Sequence, residues 1–252
     1  MTKRIVVLSD MQIPLHDREV IKRVIKFVKE YEPDEIYCVG DEADCLAPAR
    51  WSKGYAAEFS NFQRDLDETT AIMTKFRDAL GDKPFHLMRS NHGDRLPRYA
   101  AKYAPALSTL RDLQYDKLLG YRDLEIVYHK QLWNFAPGWI MGHGDEGGSS
   151  TYAGGTAMSL AKKTGMSVLC GHTHKLGLLH FNTSYNGKLT SSLHGFEVGN
   201  MMDLKKATYL EGGSANWQSG FGLLYIDRGK VTPVAVPILG NSFVVEGEAY
   251  KW

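Results

Sequence analysis

Ile5-Val6-Val7-Leu8-Ser9-Asp10 and, one helical segment later, Ile36-Tyr37-Cys38-Val39-Gly40-Asp41 decide the fold of this chain. Each is a continuous apolar run that stops at an aspartate, the pattern of a strand buried on both faces. Between them Val20, Ile21, Val24, Ile25, Val28 and Tyr31 recur at helical spacing. Asp17 is placed to cap that helix, and Pro33-Asp34 ends it. Strand, helix and strand in this order predict a βαβ unit with parallel strands. Ligands of open α/β sheets bind beyond the carboxyl ends of such strands, where Asp10 and Asp41 fall.

Outward from this unit the same alternation continues. A long helix is expected over 57–80, carried by Phe59, Phe62, Leu66, Ile72, Met73, Phe76 and Leu80, with Gly81-Asp82 as its stop. Strands are expected at 85–88, 124–128, 138–141 and 167–170. A helical segment over 99–119 is broken near Pro105, and a short helix covers 157–163. After residue 175 the pattern becomes short alternating segments with turns at Asn186-Gly187 and Arg228-Gly229, and 223–226 with 231–236 reads as a hairpin. A second sheet packed beside the first is expected there. No repeat or linker divides the chain, so residues 1–252 are read as one domain.

Composition is that of an ordinary globular protein, 43% apolar and 23% charged, with a formal net charge of +1. Such a balance supplies no bulk field toward nucleic acid or an anionic membrane, although a local basic patch is compatible with it. Nucleic acid is therefore not the favoured partner. Cys38, Cys45 and Cys170 form no CxxC pair, and Cys38 and Cys170 lie in strand-like runs as buried thiols. The N-terminal apolar run is interrupted by Asp10 and too short for a signal peptide. No stretch approaches the roughly 18 apolar residues of a membrane span. A cytoplasmic location is the default expectation.

Chemistry gathers in five motifs, each at or just past the end of an apolar run: Asp10-Met11-Gln12, Gly40-Asp41-Glu42-Ala43-Asp44, Asn91-His92, Gly142-His143 and Gly171-His172-Thr173-His174. Asp10, Asp41, Asn91, His143, His172 and His174 offer carboxylate, amide and imidazole donors. A mixed N/O set suits Mn²⁺, Fe or Zn²⁺ better than Ca²⁺. A carboxylate can bridge two metals about 3.5–4 Å apart, the spacing used for in-line displacement at phosphorus. Asp41, in the middle of the set, is the best bridging candidate.

This ordered set resembles the calcineurin-like metallophosphoesterase family, whose pattern is D-x-H, G-D-x-x-D, G-N-H-[DE], G-H and G-H-x-H; the match runs from Asp10 to His174 and looks like a phosphodiesterase-type, bacterial or phage-like member. The resemblance implies an α/β fold, a four-layer α/β/β/α sandwich of two mixed sheets flanked by helices. It also implies two divalent metal ions, Mn²⁺ first, with Fe, Zn²⁺ or Ni²⁺ as alternatives. By that resemblance Asp10, Asp41 and His174 hold one metal, and Asp41, Asn91, His143 and His172 hold the other. His92 resembles the phosphate-contacting or general-acid histidine, Asp44 the carboxylate that orients it, and a water or hydroxide between the metals the nucleophile.

Three departures from the pattern bear on substrate. Gln12 stands where the family has His, and is read either as a weaker metal ligand or as a pocket-lining residue. The third motif is Ser90-Asn91-His92-Gly93-Asp94, with the acid displaced by one position. Cys45 follows Asp44 where protein phosphatases of the superfamily carry Arg, a bidentate clamp for a dianionic monoester. Its absence favours phosphodiesters, with 2′,3′- or 3′,5′-cyclic nucleotides as first guess. Arg50, Arg89, Arg95 and Arg98 are the residues able to compensate. A phosphomonoesterase or protein phosphatase, or a nuclease, is the alternative.

Outside the motifs, Trp217, Tyr99, Tyr103 and Tyr152 are candidate stacking surfaces, with packing the competing role for Trp217. His86 reads as a core histidine and His16 as a capping or surface residue, while His129, His180 and His194 have no motif context.

Overall fold

A computed structural model describes residues 1–49, 62–207 and 215–252. Arg50 and residues 57–61 of the expected 57–80 helix, Phe59 among them, lie outside the described residues.

The opening βαβ unit forms as its sequence dictates. Strand β1 (Lys3–Leu8) lies parallel to β2 (Glu35–Cys38), and helix α1 (Arg18–Tyr31) connects them. The Asp17 carboxylate accepts from the Glu19 and Val20 amides at 3.0 and 3.1 Å, a cap of about 1 kcal/mol. β3 (Phe85–Met88) and β4 (Ile126–His129) extend the parallel set, joined by α2 (Phe62–Leu80) and then α3 (Arg95–Tyr103) and α4 (Tyr115–Leu118). The second sheet holds β5 (Trp133–Ala136), β6 (Trp139–Met141), β7 (Ser167–Cys170), β8 (Leu176–Tyr185) and β9 (Lys188–Val198), in the order β5-β6-β7-β9-β8. Helix α5 (Gly155–Thr164) runs between β6 and β7. β10 (Gly220–Asp227) and β11 (Lys230–Pro237) return to the first sheet, whose order is β11-β10-β1-β2-β3-β4. A separate hairpin, β12 (Ser242–Val245) with β13 (Glu248–Lys251), follows.

Alternation along the strands builds the layers. Val6, Leu8, Ile36, Cys38, Phe85 and Leu87 face α1 and α2, where they bury Val20, Val24, Phe27, Met73 and Phe76. Ile5, Val7, Tyr37 and Val39 face the other way, against Trp139, Met141, Leu169 and Phe196 of the second sheet. The outer face of that sheet, through Ile140, Val168 and Cys170, packs on Ala157, Leu160 and Ala161 of α5. Helices, sheet, sheet and helix form the four layers expected. Each fully buried aliphatic or phenyl side chain contributes about 1.5–3 kcal/mol.

Several details differ from expectation. The second sheet begins at Trp133 rather than after residue 175, and the 220–237 hairpin joins the first sheet because β10 pairs antiparallel with β1. β5 and the β12–β13 hairpin were not anticipated; β5 is four residues long and shifts register within its pairing, which blurs its alternation. The helix expected from residue 99 starts at Arg95, because Pro97 sits in its first turn, where its missing N–H costs nothing. His16 is buried rather than capping or exposed, since Asp17 takes the cap.

Candidate metal centre

Every motif lands at the carboxyl end of a strand, and the two sheets bring those ends together. Asp10 follows β1, Asp41 and Asp44 follow β2, and Asn91 and His92 follow β3; His143 follows β6, and His172 and His174 follow β7. The backbone there is strained: Asp10, Gln12, Asp41, Cys45, His172 and His174 all have positive φ, between 45° and 71°. Non-glycine residues adopt this region at a cost, and such outliers cluster at functional sites. Gly40 meets the same demand with φ 103°, and a Cβ on it would lie 2.7 Å from the Ser90 Cβ.

The donor atoms converge. Asp41 Oδ2 lies 3.2 Å from His143 Nε2 and 3.1 Å from Gln12 Nε2, while Asp41 Oδ1 accepts from the His92 amide at 3.2 Å. Asn91 Oδ1 sits between His143 Nε2 at 2.8 Å and His172 Nδ1 at 3.0 Å. His174 Nε2 is 3.3 Å from Asp10 Oδ1. Asp41, His143 and His172 present donor atoms within 4.8 Å of one another and could hold a metal ion. Asp10, Asp41 and His143 are at most 1% exposed.

Supporting contacts fix these groups. His143 Nδ1 donates to the Val39 carbonyl at 2.8 Å, which turns Nε2 into the cluster. Asp10 Oδ2 accepts from the His172 amide at 2.9 Å and from the Ser9 hydroxyl. Glu197 accepts from the Thr156 amide at 2.7 Å at the start of α5 and from the Thr173 hydroxyl at 2.8 Å, tying the His172-Thr173-His174 turn to that helix. Asn200 Nδ2 donates to the His174 carbonyl at 3.0 Å, and the Trp217 ring packs 4.3 Å from the His174 ring.

Charge in this cluster is unbalanced toward a cation. Burial raises Asp10 to about 7. For His143 burial acts downward, but the Asp41 carboxylate outweighs it and holds the imidazolium to about 10. Burial alone would raise Asp41, yet His143 and His92 keep it well below the usual carboxylate range. Burial pushes His174 down to about 3. Among the described residues Asp10 Oδ1, Gln12 Oε1 and His174 Nδ1 are buried without a hydrogen-bond partner. Buried oxygens left unpaired beside imidazole nitrogens that face into the cluster are the setting a divalent ion satisfies. The Gln12 amide terminus lies in the cluster, 3.4 Å from His174 Nε2, and turning the amide over exchanges its nitrogen for the unpartnered oxygen. The donors present fit divalent metal.

His92 stands at the rim. Its Nδ1 donates to the Asp44 carbonyl at 2.9 Å and is 3.3 Å from the Asp44 carboxylate, so backbone and side chain of Asp44 both hold the ring. Its Nε2 lies 3.6 Å from Asp41 Oδ2 and 2.8 Å from Arg95 Nη2. Of the compensating arginines, Arg95 alone among the described ones reaches His92. Arg89 is taken by Asp94 and Asp145, and Arg98 by Asp94, which accounts for the displaced acid of the third motif. Glu197 and Asn200 escaped the sequence analysis; the one available signal was an acid inside the apolar run Gly195-Phe196-Glu197-Val198.

Comparison with known proteins follows the same residues. The calcineurin-like phosphoesterase family model matches residues 3–176. The chain belongs to this family. This phosphoesterase is similar to Gene 54 protein of Mycobacterium phage D29, 39% identical over 257 residues with 100% of each chain covered. It is likewise similar to Gene 54 protein of phage L5, at 38% over 257 residues and the same coverage. Among solved structures it resembles Vps29 complexed with Zn²⁺ from Entamoeba histolytica, at 11% identity and TM-score 0.45, over 98% of this chain and 99% of that one. It also resembles Chaetomium thermophilum Vps29, at 12% identity and TM-score 0.48, over 99% and 98% of the two chains. As a calcineurin-like phosphoesterase it is a metal-dependent phosphoester hydrolase. Among the described residues no helix is long and apolar enough to cross a membrane.

Proposed function

We propose that this phosphoesterase hydrolyses phosphodiesters of the nucleotide class, small cyclic nucleotides included, with two divalent ions, Mn²⁺ first. Asp10, Gln12, Asp41 and His174 would hold one ion, and Asp41, Asn91, His143 and His172 the other. Bound there, the ions supply Lewis-acid polarisation of a phosphoryl oxygen and a water of lowered pKa. The chain's own residues do the rest. Val39 orients His143, and Ser9 with the His172 amide orients Asp10. With Nδ1 held by Asp44, His92 turns Nε2 toward the cluster, the nitrogen placed to exchange a proton with a leaving oxygen.

The observation that carries the diester preference is the state of the guanidinium groups. Arg95 contacts the Asp44 carbonyl at 2.5 Å and the Asp44 carboxylate at 3.6 Å, so its charge is already shared. Arg89 is fully matched by Asp94 and Asp145. Among the described residues the rim therefore offers one partly neutralised cation, suited to a monoanionic diester more than to a dianionic monoester.

The test is metal-stripped chain reloaded with Mn²⁺ and given bis-p-nitrophenyl phosphate, p-nitrophenyl phosphate and both classes of cyclic nucleotide. Diester turnover restored by Mn²⁺ and exceeding monoester turnover is the expected result. Faster monoester cleavage with every metal tried would replace this function with a phosphomonoesterase.

A further inference from the structure

Helix α3 starts three residues after His92 and presents a face that runs outward from the hydrolytic site. Arg95, Tyr99 and Tyr103 follow one another at spacings of four, and Arg98 and Lys102 flank them, so all five share one side of the helix. The near end of that face is the site itself, since Arg95 touches His92 Nε2 at 2.8 Å. Farther along, Tyr99 is 41% and Tyr103 62% exposed. Their rings lie 4.8 Å apart, and the Lys102 ammonium sits 4.8 Å from the centre of the Tyr103 ring. From Arg95 to Arg111 the sequence carries Arg95, Arg98, Lys102 and Arg111 and no Asp or Glu. The preceding acid, Asp94, is occupied by Arg89 and Arg98.

We propose that this face binds single-stranded nucleic acid, leading a strand from Tyr103 along about 13 Å of helix toward His92. This rests on the phosphodiester function proposed above and names its extended substrate. Exposed rings beside cations match unpaired bases and their phosphates together, because stacking is indifferent to sequence and the charges track the backbone. Paired bases hide the faces that the tyrosines offer. An anionic membrane would be met by the charges but not by the ring pair. The near-neutral net charge is no obstacle, since the cations are concentrated on one element next to the site.

The test uses the full chain in EDTA, which prevents cleavage, and fluorescence anisotropy of a short labelled single-stranded DNA. The Tyr99→Ala/Tyr103→Ala double variant is expected to weaken binding at least about tenfold, two stacked bases being lost. Lys102→Glu is expected to weaken it and to flatten its salt dependence. Far-UV circular dichroism checks the fold; these side chains are exposed, and Lys102→Glu carries the test alone if the double variant unfolds. Absence of binding, binding indifferent to the variants, or tighter binding to duplex DNA or to anionic phospholipid vesicles would overturn the proposal. Bis-p-nitrophenyl phosphate hydrolysis by the unaltered chain separates the two levels. If it is absent the diesterase function fails, and if it is present without strand binding only this inference fails.

Discussion

Replacing Gly171 with alanine should disable the centre by moving one sheet against the other. A Cβ built on Gly171 lies 2.5 Å from Asp10 Oδ2 and 2.9 Å from Val39 Cγ2, and it also collides with the Ser9 hydroxyl. Ordinary contact begins at 3.4 Å, so the loop after β7 must retreat from Asp10 by about 0.9 Å. That displacement stretches the 2.9 Å hydrogen bond from the His172 amide to Asp10, and it carries His172 and His174 with it. A misplacement of about 1 Å can cost about 10²-fold in rate, or roughly 2.7 kcal/mol of transition-state stabilisation. Overpacking should also cost about 1–3 kcal/mol of stability, at about 2–4 °C in Tm per kcal/mol for a chain of this size. The assay is kcat and KM for bis-p-nitrophenyl phosphate with saturating Mn²⁺, alongside thermal unfolding. Gly165→Ala is the control, because Gly165 caps α5 with φ 72° and has nothing within 4 Å of its Cβ. It should lose about 1 kcal/mol to backbone strain and keep its activity. A Gly171→Ala protein that retains most of its kcat would refute the claim that the two sheets set the donor geometry.

Gln12→His should tighten Mn²⁺ binding or change metal preference; an unchanged calorimetric titration and unchanged metal dependence of rate would show that Gln12 is not a ligand. Glu197→Gln removes the charge that accepts from Thr156, Ala157 and Thr173, and should cost about 1.5–3 kcal/mol in urea unfolding. Stability of the metal-free chain should fall between pH 7 and 10. His143 keeps its proton to about 10 when folded but only to about 6.5 when unfolded, so its contribution is complete below pH 6.5 and is lost as pH rises through 10. Thermal melts of the metal-free chain should show that slope, and His143→Asn should flatten it; equal slopes would contradict the assignment.

The fold was legible where the chain obeys one period at a time. Ile5 to Leu8, Phe85 to Met88 and Ser167 to Cys170 are short apolar runs between clear stops, and α1 is an amphipathic segment with Asp17 at its start. What escaped was pairing between distant segments. Nothing local in Gly220 to Asp227 says that it lies beside β1, and nothing in Trp133 to Ala136 marks an edge strand. The site was legible because its donors follow strands that the sequence exposes plainly. The roles of the arginines were not, because they depend on which carboxylate each one meets: Asp94 withdraws Arg89 and Arg98, while the early start of α3 delivers Arg95 to His92. Glu197 was hidden for a similar reason, as its partners at Thr156 and Thr173 lie in other elements.

Strand order carries one more consequence, for synthesis and assembly. β1 lies between β2 and β10, so during synthesis it waits for residues 220–227 before its second edge is covered. Until then the edge that Val6 and Val7 offer to Leu223 and Gly222 stays open to any other extended chain. Late closure of so long a loop makes folding slow and leaves the nascent protein prone to self-association. Truncation before residue 220 would leave all five motifs intact and still yield an aggregating product, because the strand that protects the first aspartate's sheet would be missing.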